Sequence, residues 1–127
     1  MEKHILFVDD SPTMRSSVSF CLRNAGYRVT EASDGKDALQ KLQSIEDKGQ
    51  SLALIITDIN MPEMDGITFI SKVKETRLKF LPILVLTTEA GESMIEKGRA
   101  AGASGWLLKP FQPEQLLWAV KKVVWTK

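Results

Sequence analysis

The stretch HILFVDDSP, residues 4–12, is an apolar run that ends in two adjacent carboxylates, a serine and a proline. The run 5–8 has the length and the uniform apolarity of a strand buried on both faces, as strands of helix-covered parallel sheets are. Ser11 and Pro12 are typical of a helix start, with the serine as N-cap and the proline in the first turn. The stretch therefore predicts a buried strand that leads directly into a helix, with the two carboxylates at the junction.

Short apolar runs alternate with helical stretches along the rest of the chain. The predicted strands cover residues 5–8, 28–32, 53–57, 83–87 and 105–108, and we expect all five to be buried on both faces. The predicted helices run from Pro12 to a stop at Gly26, from Asp34 onward, from Asp65 and Gly66 onward, from about Glu92 to Ala101, and from Pro113 to about Trp125. Strict alternation of five strands and five helices predicts an α/β domain with a doubly wound, five-stranded parallel sheet.

The fourth predicted helix is interrupted by a glycine, whereas the fifth carries apolar residues on one face. Gly98 lies inside the fourth helix, where an interior glycine costs about 1 kcal/mol relative to alanine. Leu117, Val120 and Val124 repeat at helical spacing in the fifth helix, and we expect them to form its buried stripe.

Composition limits the classes of function. The 127 residues suit one domain, residues 1–127, and 17 Lys and Arg against 16 Asp and Glu leave no basic excess for nucleic acid. No apolar run approaches a membrane span, and Asp9 comes too early for a signal peptide, so we expect a cytoplasmic protein that binds no membrane. With one cysteine and one histidine, Cys21 and His4, the chain has neither an internal disulfide nor a set of zinc ligands, and we expect Cys21 to be a small core residue.

Polar residues end four of the predicted strands. They are Asp9 and Asp10 after the first, Asp58 after the third, Thr87 at the end of the fourth and Lys109 after the fifth. Taken singly, each is an ordinary polar end of a strand. In doubly wound sheets, however, functional sites lie beyond the carboxyl ends of the strands, where the strand order reverses. We therefore expect these side chains to form one site.

The chemistry of that set favours phosphoryl transfer. Three carboxylates brought together repel one another unless one is protonated or a cation lies among them, and an all-oxygen set suits Mg²⁺. A strand-end carboxylate can also attack a phosphorylated donor and form an acyl phosphate, for which Asp58 is the candidate nucleophile. Lys109 would pair with a phosphoryl oxygen, and the Thr87 hydroxyl would bond another.

Four fragments, in order and at the expected strand ends, carry a family resemblance. They are FVDDSP at 7–12, IITDINMPEMDGITFI at 55–70, VLTTEAG at 85–91 and GASGWLLKPF at 102–111. With these fragments the chain resembles a response-regulator receiver domain along its whole length. The resemblance implies a flavodoxin-like sheet with strand order 2-1-3-4-5.

The resemblance also implies residue roles. Asp58 would be phosphorylated by a histidine kinase, with Asp10 and Asp58 ligating Mg²⁺, Asp9 assisting through bound water, and the backbone carbonyl of Asn60 completing the metal shell. A cis peptide before Pro110 would aim the preceding lysine at the site.

Thr87 and Lys109 would take the roles argued above, and their spacing favours Thr87 over its neighbour Thr88 as the phosphate-binding hydroxyl. His4, the only histidine, lies on the first strand away from these strand ends, so the phosphodonor must be a partner. We expect no enzyme activity beyond the domain's own phosphorylation and dephosphorylation.

The chain ends at Lys127, soon after the fifth predicted helix, so we expect the output to be binding at the receiver's own surface, by a monomer. The likeness is greatest to single-domain chemotaxis regulators of the CheY type. It implies a phosphorylation-dependent protein target such as a flagellar motor switch protein, and a phosphatase as a further partner. Trp106 takes the position of an aromatic output switch, usually tyrosine, and could form an exposed aromatic surface with Trp118 and Trp125.

Three alternatives stay open at this point. A phosphate sink or phosphorelay intermediate would share the phosphoacceptor but lack a motor output. An aspartyl-nucleophile phosphatase is the enzyme alternative, although such enzymes commonly have a second aspartate where this chain has Asn60. A flavin or nucleotide binder shares the fold class, but it would need a phosphate-binding loop where the chain has two carboxylates.

Overall fold

Five strands and five helices alternate in the computed structural model, which describes residues 2–125. In chain order the elements are β1 (His4–Val8), α1 (Pro12–Asn24), β2 (Arg28–Ala32), α2 (Gly35–Asp47), β3 (Leu54–Thr57), α3 (Gly66–Lys74), β4 (Ile83–Thr87), α4 (Glu92–Ala101), β5 (Gly105–Leu108) and α5 (Pro113–Trp125). These bounds agree with the predicted elements to within a residue or two.

The strands form one parallel sheet in the order β2-β1-β3-β4-β5, which confirms the predicted fold. The order reverses between β1 and β3, because the chain passes from β1 outward to β2 and then returns to the other side of β1. In this register Val8 is aligned with Thr57. The residues that follow these two, Asp9 and Asp58, therefore lie side by side at the switch point of the sheet.

The sheet separates two hydrophobic clusters. One contains Phe69, Ile70 and Val73 of α3, and the other contains Leu22 of α1 and Val120 of α5. The sequence predicts that Cys21 is a core residue. It is half-buried and packs against the second cluster, so it lies at the edge of the core. Within residues 2–125, no helix is both long and apolar enough to cross a membrane.

Two expectations about burial are corrected. The central strands β1, β3 and β4 are buried along their whole length, but β2 and β5 are partly exposed because they are the edges of the sheet. On α5 the innermost leucine is Leu116, 1% exposed, whereas Leu117 only packs against the outside of the cluster. Leu116 lies four residues before Val120, on the same helix face, whereas Leu117 is rotated away from its centre.

Side-chain caps start three helices, and the one at Ser11 confirms the predicted N-cap. Ser11, Asp34 and Asp65 each accept a hydrogen bond from the backbone N–H three residues later. Helix α4 instead follows Gly91 and has no side-chain cap. The Lys109–Pro110 peptide after β5 is cis, as the family resemblance implied.

Candidate functional site

Three carboxylates meet at the switch point. Asp9 and Asp10 follow β1, Asp58 follows β3, and one oxygen of each carboxylate lies within 4.8 Å of the other two. Asp9 and Asp58 are buried, whereas Asp10 is exposed and makes no hydrogen bond within residues 2–125. The predicted convergence of these three residues is therefore present in the structure.

Four hydrogen bonds fix the position of Asp9. Its N–H donates to the carbonyl of Ala32 at 3.1 Å, and its Oδ1 accepts from the N–H of Ser11 at 2.9 Å. Its own carbonyl accepts from Nη1 of Arg15 at 2.6 Å, and its Oδ2 accepts from Lys109. These contacts come from β2, α1 and the end of β5, so the position of Asp9 is set by the fold as a whole.

Lys109 lies between two of the carboxylates. Its Nζ is 2.9 Å from Oδ2 of Asp9 and 3.0 Å from Oδ2 of Asp58, and its side chain is only 13% exposed. Burial alone would lower the pKa of Lys109, but the hydrogen bonds and charges of the two carboxylates outweigh it, so this pKa lies above its ordinary value. The lysine is therefore a permanent cation that offsets the repulsion within the acidic pocket.

The backbone around Asp58 is as constrained as its side chain. Oδ1 of Asp58 accepts from the N–H of Ile59 at 2.6 Å, and the N–H of Gly66 donates to the carbonyl of Ile59 at 2.7 Å. A Cβ added to Gly66 would come within 2.1 Å of the Asp58 carbonyl oxygen. Glycine at the start of α3 thus lets this helix approach the backbone of the phosphoacceptor candidate.

Thr87 and Thr88 differ sharply in environment. Thr87 is fully buried at the end of β4, and its Oγ1 accepts from the N–H of Glu89 at 3.3 Å. Thr88 is exposed. Within the described residues the Thr87 hydroxyl makes no bond to the carboxylates, so its predicted role toward a phosphoryl group stays a prediction.

Asn60 and Trp106 both contact Glu89. Nδ2 of Asn60 donates to Oε2 of Glu89 at 2.9 Å, and Nε1 of Trp106 donates to the Glu89 carbonyl at 2.9 Å. The Asn60 side chain is therefore directed at Glu89, and its backbone carbonyl as a metal ligand stays a prediction. Trp106 is half-buried, while Trp118 is 64% exposed and the Trp125 side chain lies outside the described part. The expected aromatic surface thus has one exposed member among those described.

His4 lies at the start of β1, at the opposite end of that strand from Asp9. It is 5% exposed, and its Nε2 is 2.7 Å from Oγ1 of Thr30. The only histidine of the chain is therefore both buried and remote from the acidic pocket.

Sequence reasoning missed three residues that the site uses. Arg15 anchors the Asp9 carbonyl, Glu89 joins Asn60 to Trp106, and Gly98 lies under the indole of Trp106. Glu89 stands inside the VLTTEAG fragment, so its place could have been noticed. The sequence marks Gly98 only as an unfavourable residue inside a helix, and Arg15 carries no local signal, because the contacts of both depend on how separate elements pack.

The donor set fits Mg²⁺. The site offers three carboxylates and no sulfur or imidazole group, which is the oxygen chemistry that Mg²⁺ prefers. Asp10 is exposed and unpaired, so it can take a metal ion without breaking a bond to the protein. A buried carboxylate pair, a bridging lysine and an exposed carboxylate thus lie together at the switch point of the sheet.

Comparison with known proteins identifies the class. Residues 5–121 match the response regulator receiver domain family, and the chain belongs to that family. The chemotaxis protein CheY1 of Helicobacter pylori is 40% identical over 114 residues, covering 88% of this chain and 89% of that protein. The two-component response regulator ORR5 of Oryza sativa subsp. japonica is also 40% identical over 114 residues, covering 89% and 82%. The structure of Vibrio cholerae chemotaxis protein CheY4 gives a TM-score of 0.89 at 44% identity, covering 97% and 99%.

Proposed function

We propose that this chain accepts a phosphoryl group from a histidine kinase onto Asp58 and then signals by binding a protein target. The observation that carries the proposal is the position of Lys109 Nζ, in contact with Asp58 and Asp9 inside a group of three carboxylates. This arrangement offers a nucleophile, a cation and a metal-binding pocket within one small volume.

The acidic pocket would hold the metal. Asp10 and Asp58 are the proposed direct ligands, Asp9 acts through bound water, and the backbone carbonyl of Asn60 completes the set. Bound Mg²⁺ supplies positive charge that offsets the charge of the phosphoryl oxygens.

The remaining steps belong to the side chains. A carboxylate oxygen of Asp58 attacks the phosphorus of the donor phosphohistidine, an O–P bond forms, the P–N bond breaks, and the histidine ring leaves with that electron pair and is protonated. Lys109 exchanges its contact with Asp58 for one with a phosphoryl oxygen. The Thr87 hydroxyl accepts from Glu89, so its own hydrogen is available to another phosphoryl oxygen. Water later attacks the phosphorus and restores the carboxylate with release of inorganic phosphate.

The output proposed here is chemotaxis, through a flagellar motor switch protein, by a monomer in the cytoplasm whose signal a phosphatase shortens. The likeness to CheY1 and CheY4, both named chemotaxis proteins, supports this reading. The equal identity to ORR5 keeps a role in another two-component pathway as the competing outcome. In that case the chain would act as a phosphate sink or as a phosphorelay intermediate.

Direct labelling tests the phosphoacceptor. Phosphoramidate or acetyl phosphate with Mg²⁺ should add one phosphoryl group, seen by intact mass, and EDTA should prevent it. Asp58→Asn should abolish the label. Asp65→Asn is the matched control, because asparagine also caps a helix start and this residue only caps α3. Equal labelling of the parent and of Asp58→Asn would show that the assignment is wrong.

Partner capture tests the output. The parent and Asp58→Asn, each with Mg²⁺ and with or without beryllofluoride, are used to capture a purified flagellar motor switch protein. We expect the parent alone to bind more tightly with the mimic, by a factor in the typical coupling range of about 5- to 150-fold. Labelling at Asp58 without any change in this affinity would favour the phosphate sink or relay.

A further inference from the structure

Trp106 of β5 is directed toward α4. Its Nε1 donates to the carbonyl of Glu89 in the β4–α4 loop, and its ring packs against the cluster that contains Phe69 and Val73. The indole is thus half-buried between β5 and α4.

Gly98 makes room for the ring. It lies inside α4 and is buried, and a Cβ at this position would be 2.4 Å from Cζ3 of Trp106 and 3.3 Å from Cε3 and Cη2. The atom in the way belongs to a rigid ring rather than to the end of a flexible chain. Gly91 before the same helix has nothing within 4 Å of its Cβ position, and Gly102 after it meets the Lys74 side chain, so among these three glycines only Gly98 meets the ring. The costly interior glycine of α4 therefore has a packing reason.

The indole contacts the segment that contains α4 at two points. One is the Glu89 carbonyl before α4, and the other is Gly98 within α4. The Glu89 carboxylate is in turn bonded to Asn60, two residues after Asp58. Glu89 therefore contacts both the loop that follows Asp58 and the ring of Trp106.

A groove beside Trp106 also borders Trp118. The groove has a volume of about 380 Å³, lies between β5 and α5 and is large enough to receive an indole. It is lined by Leu84, Ser104, Gly105, Trp106, Trp118, Ala119, Lys122 and Val123. A ring displaced from Gly98 would thus move toward Trp118 and solvent.

We propose that Gly98 is a positioning residue for Trp106, giving the indole the space to lie inward against α4, so that the position of this output-switch candidate depends on Gly98. The signalling consequence rests on the proposed function. The packing does not, because it involves neither metal nor donor.

Fluorescence of single-tryptophan variants tests the position of the ring. In a Trp118→Phe, Trp125→Phe background, Trp106 should be quenched less by acrylamide than Trp118 is in a Trp106→Phe, Trp125→Phe background, since Trp118 is 64% exposed. Gly98→Ala should shift the Trp106 emission to the red and increase its quenching. Equal quenching of the two tryptophans before substitution would overturn the proposal.

Stability separates steric positioning from helix propensity. Gly98→Ala should lower the urea midpoint when Trp106 is present, and should raise it in the Trp106→Phe background, where alanine's helix propensity prevails. If Gly98→Ala does not fold, restoration of folding by Trp106→Phe gives the same support, and failure to restore it overturns the proposal. Ala100→Gly, at an exposed position of α4, is the control and should lower the midpoint equally in both backgrounds.

A higher midpoint for Gly98→Ala with unchanged Trp106 emission would also overturn the proposal. None of these measurements uses a phosphoryl donor, so they fail or succeed independently of labelling at Asp58.

Discussion

Lys109 Nζ lies 3.0 Å from Oδ2 of Asp58, although 51 residues separate the two in sequence. The parallel sheet makes this contact possible, because the carboxyl ends of β3 and β5 face the same edge. The lysine also contacts Asp9, so it serves as the cation of the acidic pocket.

Removal of that cation should destabilise the protein and increase its response to Mg²⁺. Lys109→Met leaves two buried carboxylates without their partner, which should lower the free energy of unfolding by about 1–3 kcal/mol. Urea unfolding at pH 7 in EDTA measures this loss. Added Mg²⁺ should stabilise the variant more than the parent, since a metal ion can offset the unpaired charge. Lys41→Met is the control, because Lys41 pairs at 3.4 Å with a partly exposed carboxylate, and equal Mg²⁺ effects in all three proteins would contradict the prediction.

Gly66→Ala should be far more damaging than Gly91→Ala. A Cβ at residue 66 meets the Asp58 carbonyl at 2.1 Å, whereas one at residue 91 meets nothing within 4 Å. Overpacking of this kind typically costs about 1–3 kcal/mol, and the displaced backbone should also slow labelling of Asp58 by acetyl phosphate. Thermal unfolding and intact mass measure the two effects. Similar stability and labelling of both variants would refute the assigned contact.

Arg15→Ala should cost more stability than Arg23→Ala. Both arginines pair with Glu31, at 3.8 and 3.7 Å. Each also donates to one backbone carbonyl, Arg15 to that of the buried Asp9 at 2.6 Å and Arg23 to that of Val29 in an exposed bond of 3.2 Å. Loss of the Arg15 bond leaves a buried acceptor unsatisfied, for which we expect about 1–3 kcal/mol in urea unfolding. Arg23 is half-exposed, so its loss should change the unfolding free energy by less than about 1 kcal/mol. Equal losses would mean that the Asp9 contact contributes nothing.

The free energy of unfolding should decrease as the pH is lowered, because His4 becomes protonated. Burial, and then the charge of Arg28, hold the pKa of His4 below its ordinary value, and its buried Nδ1 has no hydrogen-bond partner among the described residues. The unfolded chain therefore binds the proton more readily than the folded one. The contribution of neutral His4 is complete above about pH 6.5 and is lost as the pH falls below it toward the folded-state pKa.

Urea unfolding between pH 7.5 and pH 5 measures this dependence against His4→Gln, which does not titrate in the range. The parent should lose more stability than the variant as the pH falls. Parallel pH profiles would show that His4 protonation is not coupled to folding.

Much of the fold could be predicted because its signals are local. The apolar runs, the Ser11 cap, and the alternation of strands and helices depend on neighbouring residues only. The candidate site followed from the same signals, since Asp9, Asp58 and Lys109 all come directly after strands, and parallel strands bring their carboxyl ends to one edge.

Only the tertiary structure decided how these side chains are held. The bond from Arg15 to the Asp9 carbonyl, the link from Asn60 through Glu89 to Trp106, and the packing of that ring on Gly98 join elements remote in sequence. From the sequence, Gly98 is only a weak point of a helix, because propensity is a property of one segment. Its use as space for an indole depends on the distance between α4 and β5, which the packing of the whole sheet and its helices sets.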